Sequence, residues 1–397
     1  MYVPTFAELA GPEEEFFSAY FGKAPLYRPG ALERDPRQLL SIADMDEILH
    51  CEAIRPPHFG VTSNGGPLLP PAYTATTRVQ GANVTDTVVP ERVYELFRTG
   101  ATLIWTSINH FRPNLRALTG VLAEKFAAES GVTAFLTPAG RKGINPHHDP
   151  GDTFVVQLEG TKHWRLWRPP AVRRGDFQAH KLEELGEPVL EVSLRPRDVL
   201  YLPWGTPHAA AAEDQISLHL SVMVRTRLWS DLLRRCVERL LEDSRFSEFP
   251  YLNETTVDGQ AGPFADRADL LARRLEEMDP VAEVRRLIAD GQRSPGSSRG
   301  STFQKIAAID TMNAATRLHR TGLEVSFLET AGGKTKTKVN GHTIAIPEPV
   351  AARLRELAGG GQIAAGELFP GAGEERSASA AQALARLGIL AVTEAAP

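Results

Sequence analysis

Cysteine is nearly missing from this chain: Cys51 and Cys236 are the only two among 397 residues. Two thiols so far apart read as reduced, buried cysteines of a cytosolic protein rather than a disulfide framework. Neither a CxxC pair nor Cys/His zinc spacing is present, which argues against a structural zinc site. Positive charge is also in short supply. The formal net charge is -5 and the sequence pI about 6.2, so general nucleic-acid affinity is not favoured. No apolar run approaches the roughly 20 residues that span a bilayer, and the stretch from Met1 to Glu8 lacks the basic start and apolar core of a signal peptide. There is no internal repeat. What remains is a globular composition, 42% hydrophobic and 23% charged, long enough for two or three domains. A cytoplasmic protein without a membrane partner is expected.

Residues 5–50 read as helices and loops; from Glu13 to Phe21 aromatics recur at helical spacing behind an acidic first turn. Residues 51–90, rich in Pro, Gly and Thr, read as short strands and loops. Helices are expected over 90–99 and 114–130, the second with Leu115, Leu118, Val121, Leu122 and Phe126 on one side. From 132 to 225 the period changes to two. Strands are expected over 132–137, 153–158, 163–167, 199–202 and 217–222, with a hairpin turn at Glu159-Gly160-Thr161-Lys162. Many short strands in succession imply a sandwich, jelly roll or barrel. Residues 226–290 turn helical, with one apolar stripe from Leu228 to Leu241 and another through Leu270, Leu271, Leu275 and Met278. Residues 291–302 (GQRSPGSSRGST) make the best linker. Beyond them come helices, a hairpin turned at Asn340-Gly341, a helix near 349–357 and a helix-strand run over 380–392, together a small winged-helix-like module. Lys334, Lys336 and Lys338 alternate along that hairpin and read as a solvated face.

One constellation carries chemistry. Residues i and i+2 of a strand project to the same side, so His147 and Asp149 can face one ion while His148 points away. His208 follows the expected strand 198–202 and the turn Pro203-Trp204-Gly205, which can aim its imidazole back into the sheet. Two imidazoles and a carboxylate with open positions suit non-haem Fe(II) that must also bind a co-substrate and O2. His148 is the alternative first ligand, and a polar loop with a surface histidine is the bland alternative. On the co-substrate side, Ser217, His219 and Ser221 alternate with Leu218, Leu220 and Val222, as on a strand whose polar face lines a cavity. Lys162 and Ser221 form the candidate clamp for a carboxylate. From position alone Lys162 reads more readily as an exposed turn lysine, and His219 equally as a satisfied interior histidine.

The run from Asn145 to Leu166 (NPHHDPGDTFVVQLEGTKHWRL) resembles the core signature of the JmjC-type, cupin-4 ribosomal oxygenases. The run from Tyr201 to His208 (YLPWGTPH) resembles their second metal motif, and segments at 21–30 and 100–103 are similar to their N-terminal regions. The likeness covers roughly residues 10–225 and continues beyond only as an architecture. It implies an α+β protein with a double-stranded β-helix (jelly roll) oxygenase domain over 1–225. A helical dimerisation region over 226–290, the linker over 291–302 and a winged-helix-like domain over 303–397 would follow. It implies Fe(II), 2-oxoglutarate and O2, and hydroxylation of a histidine or arginine in a ribosomal protein. Carried over by position, His147, Asp149 and His208 match the iron ligands, Lys162 the lysine that binds 2-oxoglutarate, and Ser221 its partner. Thr133 stands where Asn is frequent and Phe135 where Tyr is common. Gly140-Arg141-Lys142-Gly143 departs from the usual Gly-Ser-Gln-Gly, and Arg197 replaces a glycine. Phe135, Arg141, Lys142 and His148 are therefore candidates for the mouth of the site, and an acidic substrate segment or a different peptide enters consideration. An oxygenase of free amino acids or natural-product peptides, and a non-enzymatic binding protein, are the competing readings. A homodimer without direct nucleic-acid binding is expected.

Overall fold

The computed structural model describes every residue except 1, 52, 172, 174–175, 251, 253–256, 293–301, 322, 324, 340–341 and 394–397. Two compact units, Met1–Ser297 and Ser298–Pro397, make up the chain. Most of the linker expected over 291–302 lies outside the described residues.

The first unit opens with helical turns. In α1 (Phe6–Ala10) the Thr5 hydroxyl and Glu8 carboxylate cap each other's backbone amides. The continuous helix expected from Glu13 to Phe21 is instead a short α2 (Glu13–Glu15) that widens into a π turn over Phe16–Tyr20. The widened turn seats the Phe16, Phe17 and Phe21 rings around Phe126. There follow β1 (Leu26–Arg28), α3 (Ile42–Leu49), β2 (Phe59–Ser63), β3 (Gly66–Pro67) and the hairpin β4 (Thr74–Val79) with β5 (Ala82–Val88). Next come α4 (Pro90–Arg98), β6 (Thr102–Trp105) and α5 (Pro113–Phe126). The helix expected to reach Ser130 stops at Phe126 because Ala127 adopts a left-handed backbone, φ 46°. Glu129 and Ser130 already belong to β7 (Glu129–Thr137).

Eight further strands complete the domain: β8 (His147–His148), β9 (Asp152–Glu159), β10 (Lys162–Leu166), β11 (Gln178–Ala179), β12 (Leu190–Leu194), β13 (Val199–Leu202), β14 (His208–Ala212) and β15 (Ser217–Arg225). Two antiparallel sheets result, in the orders β1-β13-β9-β15-β7-β6-β2-β3 and β11-β8-β14-β10-β12, a jelly roll. Alternation on β15 decides which side chains go where. Leu218, Leu220 and Val222 join the large core that also holds α5 residues Leu115, Leu118 and Leu122, while Ser217, His219 and Ser221 take the opposite face. Val155, Trp164, Leu166, Leu194, Leu200 and Leu202 form a second, smaller apolar cluster.

Glu159–Lys162 is not a hairpin turn. Strand β9 pairs with β13 and β15, and β10 with β12 and β14, so the segment crosses from one sheet to the other. Gly160 permits the crossing: its φ is +66° and a Cβ there would stand 2.0 Å from the Ile216 carbonyl oxygen. The buried Gln157 amide donates to the carbonyls of Glu159 and Gly160 and to Ser217 Oγ, bracing it. Arg197 also holds a positive φ, 83°, and its guanidinium Nε donates to the Leu32 carbonyl at 2.7 Å. The side chain thus ties the N-terminal layer to the β12–β13 turn at a backbone geometry that glycine adopts more readily.

Helices α6 (Trp229–Leu240), α7 (Val257–Glu276) and α8 (Pro280–Gln292) follow. Of the stripe from Leu228 to Leu241 only Cys236 is buried, and α7 buries no residue. Cys51 is exposed, against the expectation of two buried thiols, and both cysteines are free.

In the second unit α9 (Thr302–Asp310), α10 (Glu348–Glu356) and α11 (Glu374–Arg386) accompany two small sheets. Strands β16 (Arg317–Arg320), β20 (Ile363–Ala364) and β21 (Leu390–Val392) form one; β17 (Val325–Ala331), β18 (Lys334–Val339) and β19 (His342–Pro347) form a meander. The turn expected at Asn340-Gly341 lies outside the described residues. Along β18 the lysines are exposed while Thr335, Thr337 and Val339 are buried. The unit has its own core, including Leu318, Val350, Leu354, Leu368 and Ile389.

Candidate metal centre and co-substrate pocket

His147 and His208 meet because β8 and β14 pair with these two residues directly opposite. Asp149 follows β8, and its carbonyl accepts from Gly205 N–H in the turn before His208, at 3.3 Å. Asp152 ties the same two segments: its carboxylate accepts from Tyr201 Oη at 2.5 Å, Trp204 N–H at 3.2 Å and Thr226 Oγ1 at 2.8 Å. Burial holds that carboxyl above the usual carboxylate range.

The donor atoms of His147, Asp149 and His208 lie within 4.8 Å of one another. His147 Nε2 is 3.9 Å from one Asp149 oxygen and His208 Nε2 is 3.8 Å from the other. Each imidazole is oriented from behind. His147 Nδ1 lies 2.7 Å from the Asn145 carbonyl and His208 Nδ1 3.0 Å from the Thr206 carbonyl. A carbonyl only accepts, so both Nδ1 atoms carry the proton and both Nε2 lone pairs face the carboxylate. Burial and the neighbouring His208 push the His147 pKa down to about 4, so its imidazole is neutral at physiological pH, the state a metal needs. The donor set therefore fits a divalent iron with open positions.

His148 turns from this point. Its Nδ1 lies 2.8 Å from His180 Nε2, and β11 runs beside β8, with Gln178 opposite His148 and Ala179 opposite His147. Phe177, 53% exposed, lies with its ring centroid 4.9 Å from that of His147.

Lys162 is 2% exposed, not a surface turn lysine. Its ammonium donates to Thr137 Oγ1 at 3.0 Å and lies 3.5 Å from His219 Nδ1. Its hydrogen bonds among the described residues are thus to Thr137 and His219; Ser221, the other half of the expected carboxylate clamp, stands two residues beyond His219 and opposite Thr133. No carboxylate reaches this ammonium among the described residues, and burial alone pushes its pKa down to about 7. The same burial and the lysine beside it hold His219 well below the ordinary imidazole range. Phe135 stacks on His219, ring centroids 5.0 Å apart and planes at 6°. Trp164 touches both halves of the site, 5.7 Å from the His208 ring and 5.4 Å from that of His219.

Arg141 and Lys142 are exposed, and their backbone runs along β14, opposite Ala212 and Ala211. Lys142 bridges to Ala211, three residues along β14 from His208. The Arg141 guanidinium packs where a Gly100 side chain would be, 2.7 Å from the ideal Cβ position. Thr137, Trp164, Phe177 and His180 were not singled out from sequence. Trp164, two residues after Lys162, and Thr137, two residues after Phe135, had a signal in strand alternation; Phe177 and His180 had none.

Residues 107–232 match the JmjC domain family. Ribosomal oxygenase 1 of Gallus gallus is 30% identical over 295 residues, covering 68% of this chain and 46% of that protein. The Rattus norvegicus protein of the same name is 34% identical over 266 residues, covering 62% and 43%. The bifunctional lysine-specific demethylase and histidyl-hydroxylase NO66 of Dictyostelium discoideum is 28% identical over 236 residues, covering 58% and 44%. The chain thus spans under half the length of these curated relatives. Among solved structures, the X-ray structure of E. coli ycfD superposes with a TM-score of 0.53 at 18% identity, covering 96% of this chain and 97% of that one, which shows a shared fold.

Proposed function

Because this chain carries a JmjC domain and is related to the ribosomal oxygenases, we propose that it is an Fe(II)- and 2-oxoglutarate-dependent oxygenase that hydroxylates an amino-acid side chain in a protein or peptide. The observation that carries the reading is the convergence of three oriented donors beside a buried lysine that no described carboxylate reaches. A buried ammonium without a counter-ion is costly; the distal carboxylate of a dicarboxylic keto acid removes the cost.

In this reading His147, Asp149 and His208 hold the iron, and Lys162, with Thr137 and His219 around it, holds 2-oxoglutarate. Iron bound there supplies the oxidising power by which a C–H bond, 2-oxoglutarate and O2 become the alcohol, succinate and CO2. The protein's own groups orient and exclude. The Asn145 and Thr206 carbonyls fix the imidazole tautomers. Val155, Leu200 and Leu202 pack in one apolar cluster with Trp164, whose ring lies against His208. Thr133 and Ser221 flank the co-substrate, and Phe177, His148, Phe135, Arg141 and Lys142 border the approach of the prime substrate. A histidine or arginine of a ribosomal protein is the proposed target; the names of the relatives, a ribosomal oxygenase and a histidyl-hydroxylase, support a ribosomal protein and histidine.

The helical region bears exposed apolar side chains, among them Trp229, Leu233 and Phe264, which a second copy would cover. The C-terminal unit is proposed as winged-helix-like, without direct nucleic-acid contact, in a cytoplasmic homodimer. No helix among the described residues is long and apolar enough to cross a membrane.

The test is succinate formation in air with Fe(II), 2-oxoglutarate and a panel of ribosomal-protein peptides. Turnover should depend on peptide and be lost in His147→Ala and His208→Ala. Wild-type protein that behaves as these variants do would end the oxygenase reading.

A further inference from the structure

Trp164 has an indole N–H without a partner among the described residues. Its Nε1 is buried from solvent and meets no acceptor there, although leaving a buried donor unpaired is costly and indole N–H groups usually find one. Other buried polar atoms also lack partners, Trp105 Nε1 and Thr153 Oγ1 among them. Trp164 differs in its neighbours. Its ring packs against His208, whose Nε2 faces Asp149, and against His219, which lies beside the Lys162 ammonium. Strand pairing sets Trp164 opposite Ala210 on one side and Val192 on the other. Neither flanking side chain offers an oxygen or nitrogen.

The indole thus spans the interval between the metal donors and the lysine, the interval that a chelating 2-oxo acid with a distal carboxylate has to bridge. We propose that Trp164 Nε1–H is a hydrogen-bond donor to the bound 2-oxo acid co-substrate, so that the missing acceptor is an oxygen of the ligand itself. This rests on the oxygenase reading and adds to it a residue that neither chelates the metal nor carries charge. The N–H is set aside for an anion: it waits without a protein acceptor, as the Lys162 ammonium waits without a carboxylate. Two donors poised in this way select a ligand with acceptors at both ends over a monocarboxylate.

The experiment uses the full-length protein loaded with Zn(II), which binds the same donors and is redox-inert. The chain has five tryptophans, so 15N-indole labelling yields at most five Nε1–H signals. Trp164→Phe identifies its own signal by loss; if that variant does not fold, Phe substitutions at Trp105, Trp167, Trp204 and Trp229 identify it by elimination. On titration with 2-oxoglutarate the Trp164 signal should move downfield and its exchange with solvent should slow. Affinity for 2-oxoglutarate, read by calorimetry, should fall roughly tenfold in Trp164→Phe, the loss of one hydrogen bond to a charged group, with Zn(II) affinity unchanged. A Trp164 signal that stays in place at saturating 2-oxoglutarate, or a folded Trp164→Phe protein of wild-type affinity, overturns the proposal and leaves the oxygenase reading standing. Wild-type protein that binds no 2-oxoglutarate at all overturns both.

Discussion

Lys162 is a burden to the protein by itself and, in the proposed reading, an asset once 2-oxoglutarate is bound. Its folded pKa of about 7 lies below the ordinary 10.5. Between those values the unfolded chain holds the proton that the folded chain has lost, so stability rises with pH across that window. The cost of the buried ammonium below pH 7 is on the order of a few kcal/mol. Thermal melts of ligand-free protein from pH 6 to 9 should show that upward slope, and Lys162→Met should remove it while gaining stability at the acid end. Equal slopes in the two proteins would assign the pH dependence elsewhere. With 2-oxoglutarate present the sign turns: the anion keeps the proton on, so wild-type affinity should decline as pH climbs past 7. His147, Asp149 and His208 were legible in the sequence because strand alternation and a Pro/Gly turn act within a few residues. The contact of Thr137 with Lys162 was not: alternation sets Thr137 on one face with Thr133 and Phe135, but only the assembled sheets bring it to the lysine.

At the scale of elements, turns do the positioning. The β2–β3 turn at Asn64-Gly65 presses on Asn145: Gly65 has φ +82°, and a Cβ there would stand 2.0 Å from Asn145 Oδ1. Asn145 N–H donates to the Gly65 carbonyl at 3.3 Å, and the Asn145 carbonyl in turn orients His147. Gly65→Ala should therefore cost about 1–3 kcal/mol of stability and weaken Co(II) binding roughly tenfold. Denaturant unfolding and a Co(II) absorption titration read the two effects separately; wild-type Co(II) affinity in the folded variant would show that this turn does not set the imidazole. Strands β7, β9, β10, β13 and β15 were readable from their alternation, but β11, β12 and β14 were not, and neither was sheet membership. Glu159–Lys162 has the composition of a hairpin turn, and only the pairing of β9 and β10 with other strands shows that it changes sheets. Helix α5 was overextended for a related reason: the period in apolar residues does not reveal that Ala127 turns left-handed.

For the whole molecule, the exposed side chains of α6 and α7 matter most. Leu233 is 53% and Phe264 77% exposed, and apolar surface of this kind usually marks an interaction site. Light scattering at micromolar concentration should give twice the chain mass, and Leu233→Glu with Phe264→Glu should shift it toward one chain mass with the metal site intact. A wild-type monomer would assign the helices another role. Length and composition announced more than one unit, and the Ser/Gly-rich stretch marked where to divide them; the stripes of α6 and α7 could not say whether they face inward or outward, because periodicity records amphipathicity and not its partner.

The donors of the metal site come from two places in the chain, and β14 delivers the last of them to a position opposite β8. Strand β15 then enters between β9 and β7, so the larger sheet closes only when its last strand arrives. During synthesis, then, no nascent segment that stops short of His208 can gather all three donors. The three donors can therefore assemble only once most strands of both sheets have been made.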